Sequence, residues 1–174
     1  MCGWLGLLLV VVTAAGIWYF LPRRQALYAG VKKPIVEFLT TELKRFPLHQ
    51  AVFQNDFSAV QRLLQEGHSI EEETDDGQTV LHIAAECGLE EMCRFVIKHG
   101  VKANALDNFG GTALHAASAC QSGVGVIRVL IESGADAQLK DAAGMTPGAL
   151  AEKYKHFKIA AYLKLRGSYT AGRR

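Results

Sequence analysis

The sequence predicts an all-α protein, a helical solenoid of about four repeated units preceded by a single transmembrane helix. Two observations support this prediction. Residues 77–85 recur at 110–118, an offset of 33 residues, with Gly, Thr, Leu, His and Ala at matching positions, and such a period is typical of stacked helix pairs. Residues 3–21 form 19 residues without a charge, which as a helix reach about 28 Å, close to the thickness of the hydrocarbon core of a bilayer.

Recurring glycines indicate where each unit turns. Three of them follow residue pairs at which the chain must reverse tightly, and a glycine there takes a positive φ without a Cβ clash. Three others follow the apolar run of a second helix, where a left-handed cap is expected. The turn glycines are Gly77, Gly110 and Gly144, and the helix-ending glycines are Gly67, Gly100 and Gly134.

The residues after each turn predict a capped and tightly packed first helix. A threonine precedes the apolar run, where its hydroxyl can accept from unpaired backbone N–H groups. A leucine and an alanine three residues apart then share one helix face, and the small alanine lets the next unit approach closely. The threonines are Thr79, Thr112 and Thr146, and the packing pairs are Leu81 with Ala84 and Leu114 with Ala117.

The 33-residue period with its Thr-x-Leu-His-x-Ala core resembles the ankyrin repeat, in which a turn is followed by two short antiparallel helices. The resemblance implies a protein whose job is to hold another protein. It also implies that His49, His82 and His115 tie the backbone of one unit to the next. We therefore expect these histidines to be structural, with no catalytic or metal-binding role.

The period divides the chain into seven segments. They are a transmembrane signal-anchor at 1–22, a basic linker and capping helix at 23–45, repeats at 46–73, 74–106 and 107–140, a C-terminal capping repeat at 141–167 and a basic tail at 168–174. The two end units deviate from the pattern. Phe46 stands where the cap threonine is expected, and Gly148-Ala149 replace the Leu-His pair, as is usual for terminal repeats.

The predicted membrane segment orients the molecule. Pro22-Arg23-Arg24 follows it, so the positive-inside rule predicts that the repeats face the cytosol. The alternative is a secretory signal peptide cleaved after Val12-Thr13-Ala14. The apolar run continues past that site and no basic residue precedes it, which favours an uncleaved anchor.

Charge is unevenly distributed behind the formal net charge of +2. Residues 1–45 carry +4, residues 46–112 carry −7 and residues 113–174 carry +5. The acidic centre argues against binding to nucleic acid. We expect the lysines of the C-terminal region to form a solvated face, with contact to anionic lipid as the alternative; they are Lys153, Lys155, Lys158 and Lys164.

The sequence contains no pattern that predicts an enzyme, a cofactor or a metal site. There is no glycine-rich phosphate loop, Cys-x-x-Cys pair or His-Glu-x-x-His helix. Two Cys-His pairs recur with the repeat, but stacking spreads equivalent side chains along a ladder, and Cys87 and Cys120 are expected about 8 to 10 Å apart, too far for a disulfide. Five acids in residues 71–76 lack the alternation of a calcium loop, so a solvated turn is expected there.

The resemblance implies that a protein partner binds on a concave surface made of turn tips and exposed first-helix positions. Phe109 is the strongest candidate because aromatic side chains often anchor interfaces, although it could instead cover its own turn. The nearby acids favour a partner with a basic segment. The tip residues are Asp75, Asp76, Gln78, Asn108, Phe109, Gly111, Ala142, Ala143 and Met145, and the first-helix residues are Phe53, Gln54, Glu86, Ala119 and Lys153.

These patterns together predict a single-pass membrane protein whose cytosolic repeats act as an adaptor or scaffold. One alternative is a secreted or periplasmic repeat protein that protects or inhibits an enzyme after signal cleavage. Another is a regulatory subunit of a membrane enzyme, which differs only in its partner.

Overall fold

The computed structural model describes residues 45–120 and 122–170, with side chains as far as Arg166. The predicted anchor and all of the predicted linker and capping helix except Arg45 lie outside these residues. Within the described part of the chain, no helix combines the length and the apolar character that crossing a membrane requires.

The described residues form four pairs of antiparallel helices, which confirms the all-α prediction. Their only extended pairing is an isolated bridge between Glu73 and Thr79. The first helices have seven residues each, and the second helices have nine residues except for the last, which has 14. In chain order the helices are α1 (Pro47–Phe53), α2 (Phe57–Gln65), α3 (Val80–Glu86), α4 (Glu90–Lys98), α5 (Ala113–Ala119), α6 (Val124–Glu132), α7 (Pro147–Lys153) and α8 (Phe157–Thr170).

The helices stack in two rows. The first helices α1, α3, α5 and α7 each pack on the next, and α4, α6 and α8 do the same in the second row. Phe57 of α2 meets Phe95 of α4 edge to face, with ring centroids 5.4 Å apart. Since α8 continues to Thr170, the first residues of the predicted tail at 168–174 are helical.

Local chemistry sets the helix starts. Thr146 caps α7, where its hydroxyl accepts from the Ala149 N–H at 3.3 Å, and the Asp56 carboxylate caps α2 by accepting from the Ala59 N–H at 3.0 Å. Thr79 and Thr112 form capping boxes in which a histidine stands at the third helical position. Phe46 provides no side-chain cap to α1, as expected for a residue without the hydroxyl of the threonine that it replaces.

The turn glycines have the positive φ that their positions predict, and Gly77 also has a packing reason. Its φ is +74°, and a Cβ there would lie 2.6 Å from Asn108 Oδ1 and 2.9 Å from Asn108 N. Real Cβ contacts are not that short, so only glycine lets the turn of the next unit approach this closely.

The core lies between the two rows of helices. Leu81, Leu114, Ala84 and Ala117 are completely buried, as the helical spacing predicts. Because the alanine side chains are small, large side chains of the second helices, such as Met92, fill the space between the rows. In the last unit, where Gly148 replaces a leucine, the core of α8 is made by Ile159, Ala160 and Leu163.

We predict that Leu81→Ala costs roughly 2 to 5 kcal/mol of unfolding free energy, because it removes a fully buried side chain and leaves a cavity. Urea unfolding followed by circular dichroism measures the loss. Leu106→Ala is the matched control, since Leu106 is 55% exposed and should leave the unfolding midpoint nearly unchanged. Equal loss in both variants would contradict this core.

Candidate protein-binding surface

Three buried histidines connect successive units by hydrogen bonds. His49 Nε2 lies 2.9 Å from the carbonyl oxygen of Gln78, His82 Nε2 lies 3.3 Å from that of Gly111, and His115 Nε2 lies 3.1 Å from that of Met145. Each partner is the residue just before the next cap position. The structural role that the resemblance implied for these histidines is confirmed.

The other ring nitrogen defines the protonation state of His82 and His115. The Thr79 N–H donates to His82 Nδ1 at 3.1 Å, and the Thr112 N–H donates to His115 Nδ1 at the same distance. A nitrogen that accepts from an amide carries no proton, so the proton is on Nε2, which donates to the carbonyl of the next unit. Both rings are therefore neutral in the folded protein.

His49 lacks this second bond. At its unit Phe46 replaces the threonine, and the Phe46 ring packs edge on against the imidazole with centroids 5.8 Å apart. Among the described residues, His49 Nδ1 has no hydrogen-bond partner. The first unit thus keeps the bond to its neighbour and loses the bond that orients the ring.

We predict that stability falls on mild acidification. Burial is the main cause that lowers the pKa of His49, His82 and His115 below the ordinary 6.5. The histidines of the unfolded chain take up protons near pH 6.5, so the unfolding free energy that comes from the neutral buried rings is fully present above pH 6.5. It is lost as the pH falls toward the lower pKa values of the folded state, by up to about 1.4 kcal/mol per pH unit for each histidine.

Urea midpoints measured at about pH 7.5 and about pH 5 report this loss. His82→Gln is the comparison, because it removes one of the three groups. The variant should be less stable at neutral pH and should show a shallower dependence on pH. An unchanged midpoint in the unmodified protein across this range would contradict the assignment of neutral buried rings.

The turn tips are joined into a continuous edge by backbone hydrogen bonds. The Asn108 N–H donates to the Asp76 carbonyl at 3.0 Å, and the Ala142 N–H donates to the Phe109 carbonyl at 2.8 Å. The Asn108 side-chain amide also donates to the Asp75 carbonyl at 2.9 Å. The tips of three units therefore have a fixed spacing and register.

Each tip is closed by the side chain of the first residue of its unit. Thr74 Oγ1 accepts from the Gln78 N–H at 3.2 Å. Asp107 Oδ1 accepts from the N–H groups of Phe109 and Gly111 at 2.9 and 2.7 Å, and Asp141 Oδ1 does the same for Ala143 and Met145, both at 2.9 Å. These residues were not among the predicted site residues, although the repeat period itself relates Thr74, Asp107 and Asp141.

Most of the predicted contact residues are accessible on this edge. Exposed are Asp75, Asn108, Ala142, Ala143, Gln54 and Lys153, and partly exposed are Asp76, Phe109, Met145, Phe53 and Ala119. Phe109 is thus only partly exposed. It stays a candidate anchor of the interface, with cover of its own turn as the alternative.

Three predicted contact residues are buried. Gln78 is 8% exposed because its carbonyl accepts from both His49 and Thr74 and faces the neighbouring unit. Gly111 is buried in the same way, because its carbonyl accepts from His82. These two positions hold the tips together, and their burial removes them from the candidate surface.

Glu86 is also buried, at 6% exposure. The connection between α5 and α6 covers it: Cys120 Sγ lies 3.6 Å from Glu86 Oε1, and the Ser122 hydroxyl donates to the Glu86 carbonyl at 3.4 Å. The third unit is one residue longer than the second, and the additional residue lies in this connection. Glu86 therefore forms contacts between units.

The tip edge is acidic. Burial, followed by the nearby carboxylates of Asp75 and Asp107, raises the pKa of Asp76. The charges of residues 71–76 are partly balanced within the chain. Lys102 pairs with Glu71 and Arg45 pairs with Asp75, both at 2.9 Å. Arg45 was not among the predicted residues, since it lies 30 positions away in sequence.

The described residues include the side-chain types that bind metal ions and act as nucleophiles. Within them, no group of three or more His, Cys, Asp or Glu side chains is placed to hold a metal ion. Cys87, Cys93 and Cys120 are thiols. Burial, with smaller effects from Cys87 and Glu90, raises the pKa of Cys93 to about 12, so its thiol stays protonated and is a poor nucleophile.

Stacked helix pairs with aligned turn tips define a helical repeat protein of the kind that binds other proteins. The chain belongs to the ankyrin repeat family, because a family model of three ankyrin repeats matches residues 48–141, more than half of its length. The match ends where the fourth unit begins. The ankyrin resemblance is thereby confirmed, and with it the role of the fold as a protein–protein interaction module.

Curated relatives are similar over about 70% of this chain. Rabankyrin-5 from Homo sapiens is 36% identical over 138 residues, and Rabankyrin-5 from Mus musculus is 34% identical over 136 residues; each alignment covers 71% of this chain and 12% of the relative. Diacylglycerol kinase zeta from Rattus norvegicus is 32% identical over 124 residues, which covers 70% of this chain and 13% of the kinase. The chain therefore spans about an eighth of these relatives.

Proposed function

We propose that this protein is a membrane-anchored adaptor without catalytic activity, which captures a protein partner through a basic segment. The partner binds on the acidic tip edge, defined as Asp75 and Asp76 of one turn tip, Asn108 and Phe109 of the next, and the backbone groups that join these two tips. Residues 3–21 anchor the chain in a membrane, and the repeats face the cytosol.

The crowding of aspartates on the tip edge is the observation that supports this partner chemistry. Burial and two neighbouring carboxylates disfavour the charged form of Asp76, so an incoming cation would relieve repulsion as it binds. Asp75 is exposed, and within the part of the chain that the structure describes its one ion pair, with Arg45, is formed by two exposed side chains. Such a pair is weak, so a lysine or arginine of a partner can replace Arg45 at little cost.

We predict that Asp75→Asn with Asp76→Asn weakens capture of the partner roughly two- to thirtyfold, since exposed ion pairs contribute about 0.2 to 1 kcal/mol each. Folding should be unaffected, because the substitutions reduce repulsion. Capture from membrane extracts at low and high salt, quantified by mass spectrometry, measures the effect. Glu91→Gln on α4 is the matched control, because Glu91 is exposed and lies far from the tips. Equal capture of the same proteins by the parent, the double variant and Glu91→Gln would contradict an acidic binding edge.

The membrane attachment is supported by the sequence. The 19 uncharged residues at 3–21 have Trp4 near one end and Trp18 and Tyr19 near the other, as interfacial aromatics do. Arg23 and Arg24 follow directly, which favours a cytosolic location of the repeats.

We predict that protease added to sealed membranes with the cytosolic side outward destroys the repeats without detergent. A protein of known lumenal location is the control for sealing. Protection of the repeats until detergent is added would place them on the opposite side of the membrane and would contradict this orientation.

The alternative function is that of a secreted or periplasmic ankyrin protein that protects or inhibits an enzyme. The small residues Val12-Thr13-Ala14 favour it, because they fit a signal-peptidase site. Sequencing the mature N-terminus distinguishes the two, since cleavage would remove the first part of the apolar segment. A regulatory subunit of a membrane enzyme would differ from an adaptor only in the identity of the captured partner.

A further inference from the structure

The last helix has an apolar row on its outer side. Phe157 and Leu165 are 70% and 74% exposed, and only one other large apolar side chain of the described residues, Leu106, is comparably exposed. Ala161 is exposed between them. The three residues are four positions apart, so they lie along one face of the helix. Phe157, Ala161 and Leu165 are called the α8 outer row below.

The opposite face of α8 accounts for the packing of this helix. Ile159, Ala160 and Leu163 are at most 7% exposed and pack toward α7 and α6. The outer row is therefore not needed to hold α8 in the stack. A repeat that ends a stack usually presents a polar outer face, whereas the last helix of the described residues exposes two large apolar side chains.

Basic side chains border the outer row. Successive helix residues are about 100° apart around the axis, which places Lys158 on one side of the row and Lys164 on the other. Both are exposed. From residue 142 to the end, the chain has seven basic residues and one acidic residue, Glu152.

We propose that α8 docks on the surface of an anionic lipid bilayer, with the outer row entering the interface and the flanking lysines meeting lipid headgroups. An apolar stripe between cations is the arrangement that lies flat on such a surface, and lysine stems allow their charges to reach the headgroups. A second copy of the chain is disfavoured, because two basic faces would repel each other. The inference rests on the proposed membrane attachment only in that the anchor keeps a bilayer nearby.

The chain is long enough for both contacts. Residues 22–44 separate the predicted anchor from Arg45, and this length of chain can extend to at most about 80 Å. The repeats could thus lie against the membrane through α8 while the acidic tip edge, whose charge anionic lipid repels, remains available to a protein.

Lysine footprinting of the full chain tests the docking. The protein is mixed with vesicles of phosphatidylcholine alone or of phosphatidylcholine with phosphatidylserine, treated with an amine-acetylating reagent and analysed by mass spectrometry. We expect labelling of Lys158 and Lys164 to fall about threefold or more in the anionic vesicles and to recover at high salt. Lys98 and Lys140, which are exposed on other parts of the stack, should be labelled equally in both.

Two variants separate docking from general charge attraction. Phe157→Ser with Leu165→Ser should lose the protection and keep the circular dichroism of the parent, since both side chains are exposed. Leu106→Ser is the matched control and should keep the protection, because it replaces an exposed leucine that lies outside α8.

Each outcome supports or overturns the docking of α8 on lipid. Equal labelling in both kinds of vesicle overturns lipid docking. A further arm mixes the protein with detergent-solubilised membrane proteins and no vesicles. Protection that appears only in this arm would indicate an acidic protein surface and also overturns lipid docking. Sedimentation with the vesicles after alkaline extraction reports the anchor separately. Loss of that sedimentation with retained protection of Lys158 would refute the anchor and leave the docking of α8 in place.

Discussion

The structure depends on one repeated interaction, the hydrogen bond from a buried histidine to a carbonyl of the next unit. In the middle units the second ring nitrogen accepts from the N–H of Thr79 or Thr112, so the ring has one protonation state and one orientation. The accepting carbonyl also receives the N–H of the residue that opens its own turn, as Gly111 does from Asp107 at 2.8 Å. Each histidine therefore sets the position of the next tip, and the binding edge inherits its register from these bonds.

The two ends of the stack show what happens when this interaction is incomplete. At the first unit Phe46 provides no hydroxyl, and His49 keeps only the bond to Gln78. At the last unit Gly148-Ala149 replace the Leu-His pair, and among the described residues no further unit covers α8. That end is also basic, while the tips of the middle units are acidic. The charge separation gives the molecule two chemically different surfaces. We propose that the acidic one binds a basic protein segment and that the basic one docks on anionic lipid.

Much of the fold could be predicted because it is set by local requirements. A positive φ calls for glycine at Gly77, a cap calls for a hydroxyl at Thr146, and helix packing calls for Leu81 and Ala84 on one face. Each requirement involves residues only a few positions apart, and the period repeats them. The location of the tips followed from the same pattern, so Asp75 and Asn108 were predicted as exposed and are.

The sequence by itself thus determined the helix pairs, their order and the acidic character of the middle units, since these depend on residue type and spacing. Only the tertiary structure decided which side chains reach the surface. Gln78 and Glu86 are buried because a histidine and a loop from neighbouring units lie on them. The exposure of Phe157 and Leu165 depends on which face of α8 meets α6 and α7. Burial is a property of the contact between units, and no single repeat contains that information.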